Sequence, residues 1–106
     1  MSTIPEITPT ELNKKLAQVK IIDVRRPDEF SGELGHIAGA ILATLETDLD
    51  TYLFRLSKDE TYVFVCRSGG RSAAATKLAI SNGFLKVFNM TGGMLAWNLA
   101  GLSVVK

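Results

Sequence analysis

Short runs of apolar residues alternate along this chain with stretches in which apolar residues recur at helical spacing. The runs at Lys20–Val24, Tyr62–Val65 and Lys86–Met90 are rich in β-branched and aromatic residues, which is typical of buried strands. A further short strand is predicted at Ala40–Leu42. This alternation of strands and helices predicts an α/β domain with a mainly parallel central sheet and helices on both faces.

The strongest helix signal lies near the N-terminus, where Thr8 precedes Pro9 and Glu11 stands where it closes a capping box. We expect a helix over residues 9–18 from this signal. The other predicted helices are a short one opening at Pro27, one over roughly 46–56, one over 72–80 with Gly83 as its left-handed cap, and a last one containing Trp97.

Composition narrows the classes of protein to which the chain can belong. With 106 residues, 46% hydrophobic and 22% charged, the whole of residues 1–106 is expected to form one globular domain. A net charge of +1 gives no reason to expect nucleic-acid or membrane binding, and no apolar run approaches the roughly 18 residues of a membrane span. The start of the chain lacks a secretory pattern and there is a single cysteine, so we expect a cytoplasmic protein.

That cysteine, Cys66, lies at the end of the apolar strand and just before a helix. The loop from Cys66 to Arg71 contains Gly69 and Gly70, whose conformational freedom allows several backbone N–H groups to point inward. The helix N-terminus, Arg67 and Arg71 add positive charge, and all these groups favour the thiolate. We therefore expect Cys66 to be a nucleophile of lowered pKa inside an anion-binding loop, in preference to an inert buried thiol.

Three strand ends are predicted to meet at the carboxyl edge of the sheet, where α/β proteins place their sites. Besides the cysteine, these are Asp23–Arg25 and Asn89–Gly93. We expect Asp23 to pair with an arginine of the cysteine loop, and Arg25 to pair with Glu29 on the following helical turn. Both are interpreted as support for the site, with an ordinary surface ion pair as the alternative.

Three motifs follow one another in the chain: Asp23-Val24-Arg25-x-x-x-Glu29-Phe30 with Gly35–Ala40 behind it, Val65–Ser72, and Gly92–Trp97 with Ala100–Leu102 behind it. In order and spacing they resemble the signatures of single-domain rhodaneses, the thiosulfate sulfurtransferase-like proteins, over roughly residues 7–105. The resemblance implies a single rhodanese-like domain of the α/β class.

The resemblance also implies a sulfurtransferase that works through a persulfide on Cys66. The thiolate would take the outer sulfur of a donor such as thiosulfate, and an acceptor such as cyanide, a small thiol or a protein thiol would remove it. No metal and no organic cofactor are implied. A single cysteine also leaves no second thiol in the chain to convert the persulfide into a disulfide.

Individual residues of the loop are given different roles. Arg67 is assigned to the anionic donor, and Arg71 mainly to organising the loop, since a cation at a helix N-terminus calls for a ligand or a carboxylate partner. Ser68 and Ser72 are candidate hydrogen-bond donors to the sulfur, although capping the helix is as strong an interpretation for Ser72. The only histidine, His36, is assigned a structural place.

Other functions are compatible with an anion-binding loop of this kind. A cysteine phosphatase or arsenate reductase needs Cys-x5-Arg, whereas Cys66 and Arg71 form Cys-x4-Arg, so the residue count favours sulfur. A persulfide carrier or protein-interaction module in a sulfur relay would keep the same cysteine. The sequence leaves that alternative open.

Overall fold

The computed structural model describes residues 4–106 and contains a parallel five-stranded sheet in the order β1-β5-β4-β2-β3. The strands are β1 (Glu6–Ile7), β2 (Lys20–Asp23), β3 (Ile41–Leu42), β4 (Tyr62–Val65) and β5 (Val87–Met90). The helices are α1 (Pro9–Asn13), α2 (Pro27–Phe30), α3 (Leu49–Leu53), α4 (Gly70–Ser81) and α5 (Gly93–Leu99), with a 3-10 turn at Leu16–Gln18. The α/β class predicted from the alternating pattern is confirmed.

The central strand β4 is buried on both faces, as expected for a parallel sheet covered by helices. Its side chains alternate between two apolar clusters. Tyr62 and Phe64 pack with residues of α3 and α4 on one face, whereas Val63 and Val65 pack with residues of α1 and α5 on the other. Packing against these two clusters fixes the position of β4 in the sheet, and therefore the position of Cys66 at the end of β4.

The N-terminal capping box is confirmed, but the helix after it is shorter than predicted. Thr8 accepts a hydrogen bond from the backbone N–H of Glu11, whose side chain binds the backbone N–H of Thr8. The prediction of one helix over 9–18 is wrong, because α1 ends at Asn13 and the 3-10 turn follows. Here N–H groups bond to carbonyls three residues back, which tightens the chain before it enters β2.

The helix predicted over 46–56 is likewise too long. The backbone of Glu46 is left-handed (φ 73°), so a helix cannot pass through it. The carbonyl of Thr44 instead accepts the N–H groups of Asp48 and Leu49 in a turn that precedes α3. Two of the leucines whose spacing predicted this helix, Leu49 and Leu53, are nevertheless buried in the core.

Two further features complete the comparison with the predicted elements. The strand β1 was not predicted; it pairs Glu6 and Ile7 with Asn89 and Met90 of β5. A strand of two residues is too short to show a recognisable hydrophobic pattern in the sequence. Among residues 4–106, the structure contains no helix with the length and apolar character needed to cross a membrane.

Candidate active site

The loop after β4 is held from the side of α5 by its backbone. The carbonyl of Cys66 accepts the N–H of Met94 (2.8 Å), and the carbonyl of Arg67 accepts the N–H of Leu95 (3.0 Å). Gly93 lies directly against these peptides with φ 58°, and a Cβ atom at Gly93 would collide with the backbone of Arg67 and with the Cys66 carbonyl. Gly93, the first residue of α5, thus allows the backbone of the cysteine loop to approach this helix closely.

The sulfur of Cys66 is buried and accepts hydrogen bonds from the loop and from α4. The N–H of Gly69 lies 3.1 Å from Sγ, and the hydroxyl of Ser72 lies 3.2 Å from it. Gly69 has φ 108°, a conformation that side chains disfavour, so its predicted conformational role is confirmed. The same prediction for Gly70 is wrong. Gly70 has no positive φ, and a Cβ there would meet open space, so neither its conformation nor its surroundings require a glycine.

These contacts set the protonation of the thiol. Burial is the largest influence and by itself raises the pKa of Cys66. Hydrogen bonds from the Ser72 side chain and from the backbone N–H groups of Ser72, Gly69 and Ser68 outweigh it and leave the pKa below its ordinary value. Ser68 therefore contributes through its backbone, whereas Ser72 contributes through its hydroxyl as well.

Arg71 has the carboxylate partner that its place at a helix N-terminus suggested. Helix α4 begins at Gly70, so Arg71 lies in its first turn, and its two terminal nitrogens bind the two carboxylate oxygens of Glu29 at 2.6 and 2.8 Å. The pair joins α4 to α2 over the cysteine loop. Hydrogen bonding from Arg71 lowers the pKa of Glu29 to about 2, and the same bond raises that of Arg71.

The predicted partners of Asp23 and Arg25 are wrong. The two bind each other in a bidentate pair, with Nη2 of Arg25 2.8 Å from Oδ2 of Asp23, and both side chains are 1% exposed. Arg25 also donates to the carbonyl of Gly35, and its own carbonyl accepts the hydroxyl of Thr44. The guanidinium of Arg25 therefore ties the end of β2 to the loop at Gly35, and the backbone carbonyl of Arg25 ties it to Thr44.

Arg67 faces a polar cleft beside the cysteine loop. The cleft has a volume of about 400 Å³ and is lined by Arg67, the three carboxylate-bearing side chains of Asp28, Glu29 and Glu33, and neighbouring residues of the loop after α2. Arg67 is exposed and makes no ion pair within residues 4–106. Arg67 is therefore available to a ligand, on a cleft that also carries three carboxylates.

His36 and Trp97 lie in structural surroundings. His36 stacks on Phe30 with ring centroids 3.6 Å apart, and its Nδ1 lies 2.7 Å from the carbonyl of Phe30. Trp97 is buried in the cluster behind the sheet, and its indole N–H donates to the carbonyl of Ser103. Neither side chain has a hydrogen bond to Cys66.

Two residues have hydrogen-bond partners in the site that the sequence did not predict. Glu29 is the partner of Arg71, and Asn89 accepts a hydrogen bond from Ser72 through Oδ1. A signal for Asn89 was present, since a polar residue inside the apolar run Val87–Met90 must find a partner when it is buried. Glu29 was assigned to Arg25 from the sequence, but Arg25 binds Asp23 and leaves Glu29 to Arg71.

The parallel sheet, and the buried cysteine at a strand end whose sulfur accepts hydrogen bonds from the loop after it, define an α/β protein with a candidate site at Cys66. The sequence profile of the rhodanese-like domain matches residues 8–100, and the chain belongs to that family. It is 32% identical to a sulfurtransferase of Allochromatium vinosum, over 96% of this chain and 95% of that protein.

Solved structures agree with this assignment. A rhodanese-related protein from Thermoplasma volcanium superposes with a TM-score of 0.85 at 30% identity, covering 95% of this chain and 97% of that one. A rhodanese-like domain protein from Staphylococcus aureus superposes with a TM-score of 0.82 at 35% identity, covering 97% of this chain and 100% of that one. Family membership supports a sulfur-transfer role.

Proposed function

We propose that this protein is a sulfurtransferase that moves a sulfane sulfur from a donor such as thiosulfate to a thiophilic acceptor through a persulfide on Cys66. The observation that carries the proposal is the surrounding of Sγ, which accepts hydrogen bonds from the Gly69 N–H and the Ser72 hydroxyl at 3.1 and 3.2 Å. Such donors stabilise a thiolate, which is the nucleophilic form of cysteine.

In the first half-reaction, the Cys66 thiolate attacks the outer sulfur of thiosulfate. A new S–S bond forms to Sγ, the bond between the two donor sulfurs breaks, and its electron pair leaves with sulfite. In the second, the acceptor attacks the terminal sulfur and the electron pair of the S–S bond returns to Cys66. The backbone N–H groups of the loop are suited to stabilise the negative charge that the terminal sulfur carries between the two steps.

The charged side chains divide between binding and support. Arg67, exposed on the cleft, attracts the dianionic donor. Arg71 is engaged with Glu29 and keeps the loop in place, while the buried pair of Asp23 and Arg25 anchors the neighbouring strand end.

The length of the loop bears on the phosphatase alternative. The turn closes within three residues, since the N–H of Gly69 returns to the sulfur of Cys66. A loop of Cys-x4-Arg offers a smaller ring of N–H groups than the Cys-x5-Arg that surrounds a tetrahedral phosphate. The residue count therefore favours a single sulfur atom as the bound group.

The test is intact mass spectrometry after brief exposure to thiosulfate, with Cys66→Ser as the matched control. We expect a gain of one sulfur atom on the native chain only, and its removal by cyanide. Loading without multiple turnover in a thiosulfate–cyanide assay would identify a persulfide carrier. No gain from thiosulfate or from an organic persulfide donor, or a gain on the serine variant, would refute the proposal.

A further inference from the structure

Asn89 is a buried polar side chain in an apolar strand, and nothing in the proposed reaction requires it. It lies in β5, next to β4, and is 4% exposed. Its Oδ1 accepts a hydrogen bond from the hydroxyl of Ser72, the group that also lies 3.2 Å from the sulfur of Cys66. Burying an amide costs free energy, so a residue in this place calls for a role.

The hydroxyl of Ser72 has more acceptors than it has protons. Its Oγ lies within hydrogen-bond distance of Sγ of Cys66, of Oδ1 of Asn89 and of the Gly69 carbonyl, the last at 3.3 Å. A serine hydroxyl donates one proton and accepts with its lone pairs. When it donates to Asn89, it cannot donate to the sulfur at the same time.

We propose that Asn89 is a positioning residue whose amide decides where the Ser72 hydroxyl donates. With Oδ1 towards Ser72, Asn89 and the sulfur compete for the one hydroxyl proton, and donation to Asn89 withdraws it from the sulfur. With the amide turned over, Nδ2 donates to Oγ and the hydroxyl donates to the thiolate. The two ends of an amide are nearly alike in shape, so the core need not repack when the amide turns.

This inference rests on the proposed function only in taking Cys66 as the reacting group. Other charges near the sulfur are Arg67 on the loop, Arg71 with its partner Glu29, and Asp23, which is already bound to Arg25. They are the same in every variant used below. A change in the titration of Cys66 upon substitution of Asn89 is therefore not caused by them.

The first test is the pH dependence of Cys66 alkylation by iodoacetamide, which needs no sulfur donor. Asn89→Asp is nearly isosteric, and its ionised carboxylate only accepts, so it keeps the Ser72 proton away from sulfur. We expect the midpoint to rise by at least about one pH unit, because the negative charge and the loss of the Ser72 hydrogen bond both disfavour the thiolate. In a Ser72→Ala background the same substitution acts by charge alone, and we expect a smaller rise. An equal rise in both backgrounds, or none in either, would overturn the proposal.

A second test leaves the residue intact. The chain has four asparagines, so selective ¹⁵N labelling gives four side-chain amide signals, and substitution of each assigns them. We expect the Asn89 signal to shift with pH at the midpoint of Cys66 alkylation, and to stay constant in Cys66→Ser. A signal that ignores the cysteine titration would contradict the inference, even if thiosulfate still loads sulfur on Cys66.

Discussion

The bond between Glu29 and Arg71 joins helix α2 to the helix that follows the cysteine loop, and Glu29→Gln removes its charge. The carboxylate accepts both terminal nitrogens of Arg71 and also binds the backbone N–H of Arg26. Glutamine has the same size, so it retains the bond to Arg26 and one bond to Arg71. The substitution therefore isolates the electrostatic part of the interaction.

The pKa of Glu29 gives the magnitude. It is lowered from 4.5 to about 2 by Arg71, and the Glu29 side chain is only 15% exposed. Such a shift corresponds to at most about 3 kcal/mol at 1.36 kcal/mol per pH unit. Because the Arg71 side chain is 36% exposed and solvent screens its charge, we expect Glu29→Gln to lower the free energy of unfolding by about 1–2 kcal/mol at pH 7.

The assay is urea denaturation of both proteins between pH 7 and pH 2. The folded pKa lies below the unfolded one, so the stabilisation is fully present above about pH 4.5 and is lost as the pH falls towards 2. The two unfolding free energies should converge over that range. Glu33→Gln, an exposed carboxylate on the same cleft, is the matched control and should change little. A difference between native and Glu29→Gln that persists unchanged to pH 2 would refute the reasoning.

Three further substitutions test other parts of the site. Gly93→Ala forces a Cβ into the loop backbone and should lower the free energy of unfolding, measured in urea, by at least about 3 kcal/mol. Gly101→Ala, at a positive φ but in open space, should lower it by about 1 kcal/mol. Equal losses for the two variants would argue against the close approach at Gly93. Asp23→Ala leaves Arg25 charged and buried, so thermal and urea unfolding should show a loss of about 3–5 kcal/mol, and a loss below about 1 kcal/mol would count against it. Arg67→Gln should raise the thiosulfate concentration needed for half-loading several-fold without changing the unfolding free energy, and unchanged loading would remove Arg67 from donor binding.

The sequence was most informative where one residue type has one physical reason to be present. Thr8 and Glu11 formed their capping box, and Gly69 and Gly83 took left-handed backbone conformations. The strands β2, β4 and β5 were predicted nearly to the residue, because a buried parallel strand has a distinct composition, whereas β1 was missed. At the cysteine, the position of Cys66 between strand and helix predicted the N–H groups around the sulfur.

Pairing of charges was where prediction failed. Asp23, Arg25, Glu29 and Arg71 offer several combinations that the sequence alone does not distinguish. The answer depends on which side chains point inward: Arg25 is 1% exposed and reaches Asp23 beside it, which leaves Glu29 for Arg71. The length of the helix predicted over 46–56 failed because no glycine marks the left-handed backbone at Glu46, which lies in the turn closed on the Thr44 carbonyl.

The pairing also determines which cation of the loop could attract a donor under the proposed function. A cation in the first turn of α4 would oppose the helix dipole, but Glu29 neutralises Arg71 there. The lowered pKa of Cys66 is accordingly due to hydrogen bonds from Ser72, Gly69 and Ser68, which act against burial. Arg67 is left as the exposed loop cation, so the attraction of a dianion should depend on it and weaken with ionic strength, while the reactivity of the thiolate should not.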